Sequence, residues 1–244
     1  MKKKGFFNIV SLNDVHCPFQ DSLAVDVAIK FCGFIQPDII ILHEWHDFYN
    51  LSRFDKDPLR EESLQYEIDE VKKYFWAIRK LCPKSRIILL NSNHLDRLKK
   101  YCWRQAQALS SLNVLKIEKL LELSEFKIEY MEDFTHENFL FTHGNIVRKD
   151  SGMTARTELQ REGVSGCSGH THRLGVHYKT LRGGSYVWLE SGCLCKLNPE
   201  YIEGTADWQQ GISLISFKPN SDHFYAQVLP IINYQILWGN TIIE

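Results

Sequence analysis

Ile39-Ile40-Ile41-Leu42-His43-Glu44-Trp45-His46-Asp47 is the stretch on which the reading of this chain turns. Four unbroken aliphatic residues, three of them β-branched, read as a strand buried on both faces. The run stops at a cluster of imidazoles and carboxylates. Upstream, Phe6 to Leu12 is a second β-branched and aromatic run, and it leads into Asn13-Asp14-Val15-His16. Between the two, Ser22 to Ile35 reads as a helix that Gln36-Pro37-Asp38 breaks. Downstream, Leu64, Ile68, Val71, Phe75, Ile78 and Leu81 recur at intervals of three and four, the mark of an amphipathic helix. Cys82-Pro83 ends it, and Arg86 to Leu90 is a third buried strand, running into Asn91-Ser92-Asn93-His94. Strand, helix, strand, helix, strand is the signature of a mainly parallel sheet in an α/β protein.

Asp96 to about Leu123 reads as helical. Beyond it come shorter strands at Phe126 to Met131, Phe139 to Thr142, Val164 to Ser168, Val176 to Leu181, Tyr186 to Leu189 and Ile212 to Phe217, with a helix at Met153 to Glu162 ended by Gly163. No linker-like tract or internal repeat interrupts the chain, so residues 1–244 are expected to form a single domain. The composition is that of an ordinary globular protein, 44% hydrophobic and 24% charged. A net charge of -1 removes any composition argument for a nucleic-acid-binding surface, though a local basic patch stays open. The opening Met1-Lys2-Lys3-Lys4 is followed by too short an apolar run for a signal peptide, and no stretch reaches the length of a membrane span. The expectation is a cytoplasmic protein. Seven scattered cysteines with no repeating spacing argue against a disulfide framework, and the close pair Cys193 and Cys195 reads as buried packing.

In open α/β sheets, ligands bind beyond the carboxyl ends of the strands. Each such end here carries donors: Asp14 and His16; His43, Glu44, His46 and Asp47; Asn93 and His94; His143-Gly144; and Gly169-His170-Thr171-His172. Seven of the ten histidines fall in these five stretches, so coincidence at every strand end is a poor explanation. Any one stretch alone would read as an ordinary turn. Imidazole with carboxylate, and no cysteine in the set, suits Mn, Fe, Zn or Ni rather than a structural thiolate zinc site. The number of donors exceeds what one ion needs, which implies two divalent metal ions.

The order Asp-x-His, Gly-Asp-x-x-Asp, Gly-Asn-His, His-Gly, Gly-His-x-His resembles the fingerprint of the calcineurin-like metallophosphoesterases, from Asp14 to His172. That resemblance implies a four-layer α/β/β/α sandwich, two mixed sheets flanked by helices, with a dimetal site at the sheet ends, Mn²⁺ being the leading candidate. It also implies that Asp14, His16 and His172 hold one ion and Asn93, His143 and His170 the other, with Glu44 bridging. His94 is similar to the family's catalytic histidine, and Asp47 to the carboxylate that orients it. The function implied is hydrolysis of a phosphoester, in a nucleic acid, a nucleotide or another small molecule. Two turns depart from the pattern. His43-Glu44 stands where the family has Gly-Asp, and Ser92-Asn93-His94-Leu95 lacks a glycine and an acid. They support a rival reading, a degenerate member acting as a binding module. Asp47 to Phe54, Asp57-Pro58, Gly192 to Cys195 and Asp207 to Gly211 further resemble phage members of the family. Arg97, Lys99, Lys100 and Arg104 form a basic stretch able to steer a nucleic-acid backbone, and Trp45, Tyr49 and Trp103 are candidates for stacking on a base. Both features are explained as readily by a solvated helix face and by core packing.

Overall fold

The computed structural model describes residues 5–199, 202 and 204–244; the opening Met1 to Lys4 lies outside them. The first strand, β1 (Phe7–Asn13), is followed by α1 (Ser22–Ile35), β2 (Ile39–His43), α2 (Leu64–Leu81), β3 (Arg86–Leu90) and α3 (Leu95–Gln105). A short helix α4 (Ile117–Leu120) precedes β4 (Ile128–Met131), β5 (Phe134–His136) and β6 (Phe139–Phe141). Then come α5 (Met153–Glu162), β7 (Ser165–Ser168), β8 (Leu174–Leu181), β9 (Gly184–Ser191), β10 (Gly211–Phe217), β11 (Phe224–Pro230) and a hairpin of β12 (Ile236–Trp238) with β13 (Thr241–Ile243).

The helices start where local chemistry satisfies their free N–H groups. Asp21 Oδ1 accepts from Leu23 N and Ala24 N at the head of α1, and Ser63 caps α2 at Tyr66 N. Gly163 closes α5 in the left-handed region, at φ 70°.

Two mixed sheets result. One has the order β11-β10-β1-β2-β3-β4, with β1 to β4 parallel and β10 and β11 antiparallel. The other has the order β5-β6-β7-β9-β8. Alternation along the buried strands sorts their side chains into separate cores. Val10, Leu12, Ile40, Leu42, Ile87 and Leu89 pack with Val25, Phe31, Val71 and Phe75 of the helices. Ile9, Ile39, Ile41, Ile88 and Leu90 face the other way and meet Phe139, Phe141, Cys167 and Leu189 of the second sheet. Ala155 and Leu159 of α5 cover that sheet's outer face against Trp188. The layers are therefore helix, sheet, sheet, helix, as expected.

The sequence expectation departs from the structure between Asp96 and Leu123. The helix ends at Gln105, and 3₁₀ turns at Gln107–Ser111 and Asn113–Leu115 follow before α4. Ala106 leaves the helical region, at φ −152°, and Ser111 Oγ bonds back to the Ala108 carbonyl. Serine and asparagine side chains compete for backbone groups in this way, which favours turns over helix.

Candidate metal centre

All five polar stretches emerge at one edge of the two sheets, and their side chains converge. His16 Nε2 lies 3.0 Å from His172 Nε2, and Asp14 Oδ1 lies 3.8 and 3.9 Å from those two nitrogens. His143 Nε2 lies 3.0 Å from Glu44 Oε2 and 2.8 Å from Asn93 Oδ1. The His170 ring meets the His143 ring edge-on, with centroids 5.1 Å apart. Among the described residues His16 with Glu44 and His94, His172 with Cys193 and Cys195, and the two groups on which the site is built, Asp14 with His16 and His172 and Glu44 with His143 and His170, each have their ligand atoms within 4.8 Å of one another. Glu44 Oε2 stands between them, 3.5 Å from His16 Nε2 on one side. The Asp14, His16, Glu44, His143 and His172 side chains are all buried.

The backbone at this edge is strained. Asp14, His16, Glu44, His170 and His172 all have positive φ, between 46° and 70°. Each such residue costs on the order of 1–3 kcal/mol, and such outliers cluster at functional sites. Gly169 allows the closest approach: a Cβ there would stand 2.5 Å from Asp14 Oδ2. Asp14 in turn accepts the His170 N–H on both oxygens, at 3.1 and 3.0 Å, which ties β1 to the turn after β7.

Electrostatics sorts the imidazoles. Burial pushes His16 down, but the Asp14 and Asp47 carboxylates outweigh it and raise it to about 10. Burial, opposed by Asp14, brings His172 down to about 3. Burial also lowers His143, yet Glu44 lifts it above the ordinary histidine value. Glu44 and Asp14 are held below the carboxylate range, their burial being overcome by the surrounding imidazoles. The short separations His16 Nε2–His172 Nε2 and His143 Nε2–Glu44 Oε2 are those of donor atoms turned toward a shared cation. Donors about 2.1 Å from one ion stand roughly 3.0–3.4 Å apart at octahedral or tetrahedral angles, close to the His16–His172 and His143–Glu44 separations, with the Asp14 oxygen 3.8 and 3.9 Å from its partners. The residues fit divalent ions in chemistry and in spacing.

Asp47 reaches further than expected. Its Oδ2 accepts from His16 Nδ1 at 3.1 Å, which turns His16 Nε2 toward the donor group. The same oxygen lies 3.1 Å from His94 Nδ1, off the line of a hydrogen bond. Oδ1 takes Arg97 Nη1 at 2.5 Å, and Arg97 Nη2 contacts His94 Nε2 at 2.8 Å. Glu44 Oε1 accepts the His94 backbone N–H at 3.0 Å.

Three contributors lie outside the strand-end pattern. Cys195 Sγ lies 3.7 Å from His172 Nδ1, Trp208 packs edge-on to His172 at 4.2 Å between centroids, and Arg97 braces Asp47. The first two lie in the Gly192 to Cys195 and Asp207 to Gly211 stretches that resemble phage proteins, and Arg97 lies three residues beyond His94, one helical turn on. Conversely, His43 and His46 are fully buried and make no hydrogen bond among the described residues, and burial brings both down to about 3. Trp45 is core, packed on Tyr74 and Phe75. In the basic stretch, Lys99 and Lys100 face Asp96.

No known family profile matches the chain. It is 28% identical over 240 residues to the Gene 54 protein of Mycobacterium phage D29, covering 92% of this chain and 93% of that protein. The Gene 54 protein of Mycobacterium phage L5 is 26% identical over the same coverage. The expected resemblance to phage proteins is thus supported. Solved structures that align with it include Vps29 of Chaetomium thermophilum, at 11% identity and a TM-score of 0.41, covering 92% of this chain and 95% of that one. Thermotoga maritima protein TM1076 aligns at 9% identity and a TM-score of 0.39, covering 91% and 98%. At these scores neither structure bears on function. Among the described residues no helix is long and apolar enough to cross a membrane.

Proposed function

We propose that this chain is a calcineurin-like, two-metal phosphoesterase that works in the cytoplasm. Asp14, His16 and His172 would hold one divalent ion and Asn93, His143 and His170 the other, with Glu44 as the carboxylate available to both. The observation that carries this reading is Glu44 Oε2 lying between two donor groups, near His143 on one side and His16 on the other. Two divalent ions there would lower the pKa of a shared water and polarise the phosphoryl oxygens.

The chain's own residues do the rest. Asp47 fixes the His16 tautomer, so that Nε2 is the atom presented. His94, anchored through its backbone to Glu44 and bordered by Asp47 and Arg97, would handle the proton of the leaving oxygen. Beside Asn93 and His143 an open cleft of ≈ 450 Å³ is lined by Asp96, Glu132, Asp133 and Glu162 against Lys100 and Arg161. Its acidic balance favours a compact phosphoester over a long polyanion on that side. Manganese is the leading ion, with Fe, Zn and Ni as alternatives.

A second reading, a metal-holding binding module, is favoured by His94 Nε2 being occupied by Arg97. Turnover of bis-p-nitrophenyl phosphate and of p-nitrophenyl phosphate by the Mn²⁺-loaded chain separates the two. Mn²⁺-dependent hydrolysis abolished by His143→Ala supports the enzyme. A protein that retains manganese with no turnover of either ester supports the module.

A further inference from the structure

Arg97 has more donors than its protein partners use. A guanidinium carries five N–H groups in a rigid fork. Nη1 directs its two to Asp47, at the carbonyl oxygen 2.8 Å away and at Oδ1 2.5 Å away. Nη2 directs one to His94 Nε2 at 2.8 Å. The Nε–H and the second N–H of Nη2 find no partner among the described residues, and the side chain is 19% exposed. Its position is fixed by a carboxylate that also grips His16. Arg97 is thus a pre-organised cation beside His94, whose ring in turn packs 4.7 Å from that of His16.

The neighbouring cations are otherwise engaged. Lys99 and Lys100 face Asp96. Arg161 is taken up by Glu158, Glu162 and Asn145, and Arg173 by Asp207 and the Arg148 carbonyl. We propose that Arg97 is the oxyanion-binding residue of this centre, receiving the phosphoryl group on its Nε–H and free Nη2–H while Asp47 holds the fork in place. Guanidinium suits this task because two parallel N–H groups match two oxygens of a tetrahedral phosphate. The inference rests on the phosphoesterase reading for the identity of the oxyanion, and it gives Asp47 the further job of positioning Arg97.

The test is calorimetric titration of inorganic phosphate into the full chain loaded with Mn²⁺, for wild type, Arg97→Gln and Arg97→Lys, with manganese content measured on each. Arg97→Gln should weaken phosphate binding about tenfold or more, the scale of a lost charge-assisted pair, with manganese content unchanged. Arg97→Lys should fall between the two, because it keeps the charge without the fork, and it keeps the test open if the glutamine variant folds poorly. Millimolar guanidinium should restore part of the phosphate affinity of Arg97→Gln. Equal phosphate affinity in all three proteins would overturn the proposal, as would absence of phosphate binding by wild type. Loss of manganese together with phosphate would reduce Arg97 to a brace for Asp47 and His16, and so also overturns it. Arg97-dependent phosphate binding without hydrolysis of bis-p-nitrophenyl phosphate would sink the phosphoesterase reading and leave the oxyanion site standing.

Discussion

At Glu44 the extra methylene relative to aspartate has been absorbed into the structure. One oxygen holds the His94 N–H, the other stands between His143 and His16, and the backbone accepts φ 46° to put them there. Glu44→Asp would withdraw both oxygens by about one C–C bond, roughly 1.5 Å. It should therefore lower metal content and turnover, and a rise in either would show that glutamate is a poor fit here. Asp47 is the second informative residue. Because its Oδ2 meets His16 as well as His94, Asp47→Asn should cost metal affinity on the order of 10–100-fold, measurable by competition with a chelating dye. His94→Ala, by contrast, should cut turnover about 10²–10⁴-fold with metal content intact. Loss of metal in that variant would make His94 a ligand.

At the scale of elements, turns carry the site and helices hold the turns. The loop after β2 is fixed from α2, where Glu67 Oε1 accepts from Phe48 N at 2.5 Å and Oε2 from Tyr49 N at 3.3 Å. Burial raises Glu67 to about 8, above its ordinary value near 4.5. A folded-state pKa raised above the unfolded one gives stability that is full below about 4.5 and is lost as pH rises toward 8. Glu67→Gln should flatten that part of the stability–pH curve in urea unfolding, and an unchanged slope would rule Glu67 out as its source. The turn after β7 depends on Gly169. A methyl group there meets Asp14 Oδ2 at 2.5 Å, and Asp14 is held by the His170 N–H, so Gly169→Ala should displace Asp14 and lower metal content. Much of this element plan was legible in the sequence. The helices at Ser22–Ile35, Leu64–Leu81 and Met153–Glu162 have the bounds that periodicity and breakers imply. The short strands β5, β12 and β13 and the edge strand β11 were not anticipated. Three-residue strands carry too few alternations to register, and β11 is mostly half-buried, so its pattern is blurred.

For the whole molecule, two sheets close on one another and bring five distant stretches to one edge. The residues of that edge were legible because a buried strand must end where its polar side chains begin. Arg97 was read only as part of a basic stretch on α3, and Cys195 and Trp208 only within phage-like stretches, since spacing from a strand does not tell which of these side chains turn in on the centre. We propose that residues 1–244 fold as one domain. A single calorimetric transition, shifted upward by Mn²⁺ through preferential binding to the folded state, is the expected behaviour. Two transitions, with Mn²⁺ moving only one, would argue for separate units.

The most direct test of the metal centre is a crystal structure of the Mn²⁺-loaded chain with anomalous maps at the manganese edge. Two peaks about 3.5–4 Å apart are expected, one bounded by Asp14, His16 and His172, the other by Asn93, His143 and His170, with Glu44 touching both. No peak at this edge of the sheets, or manganese bound only to other residues, would contradict this assignment.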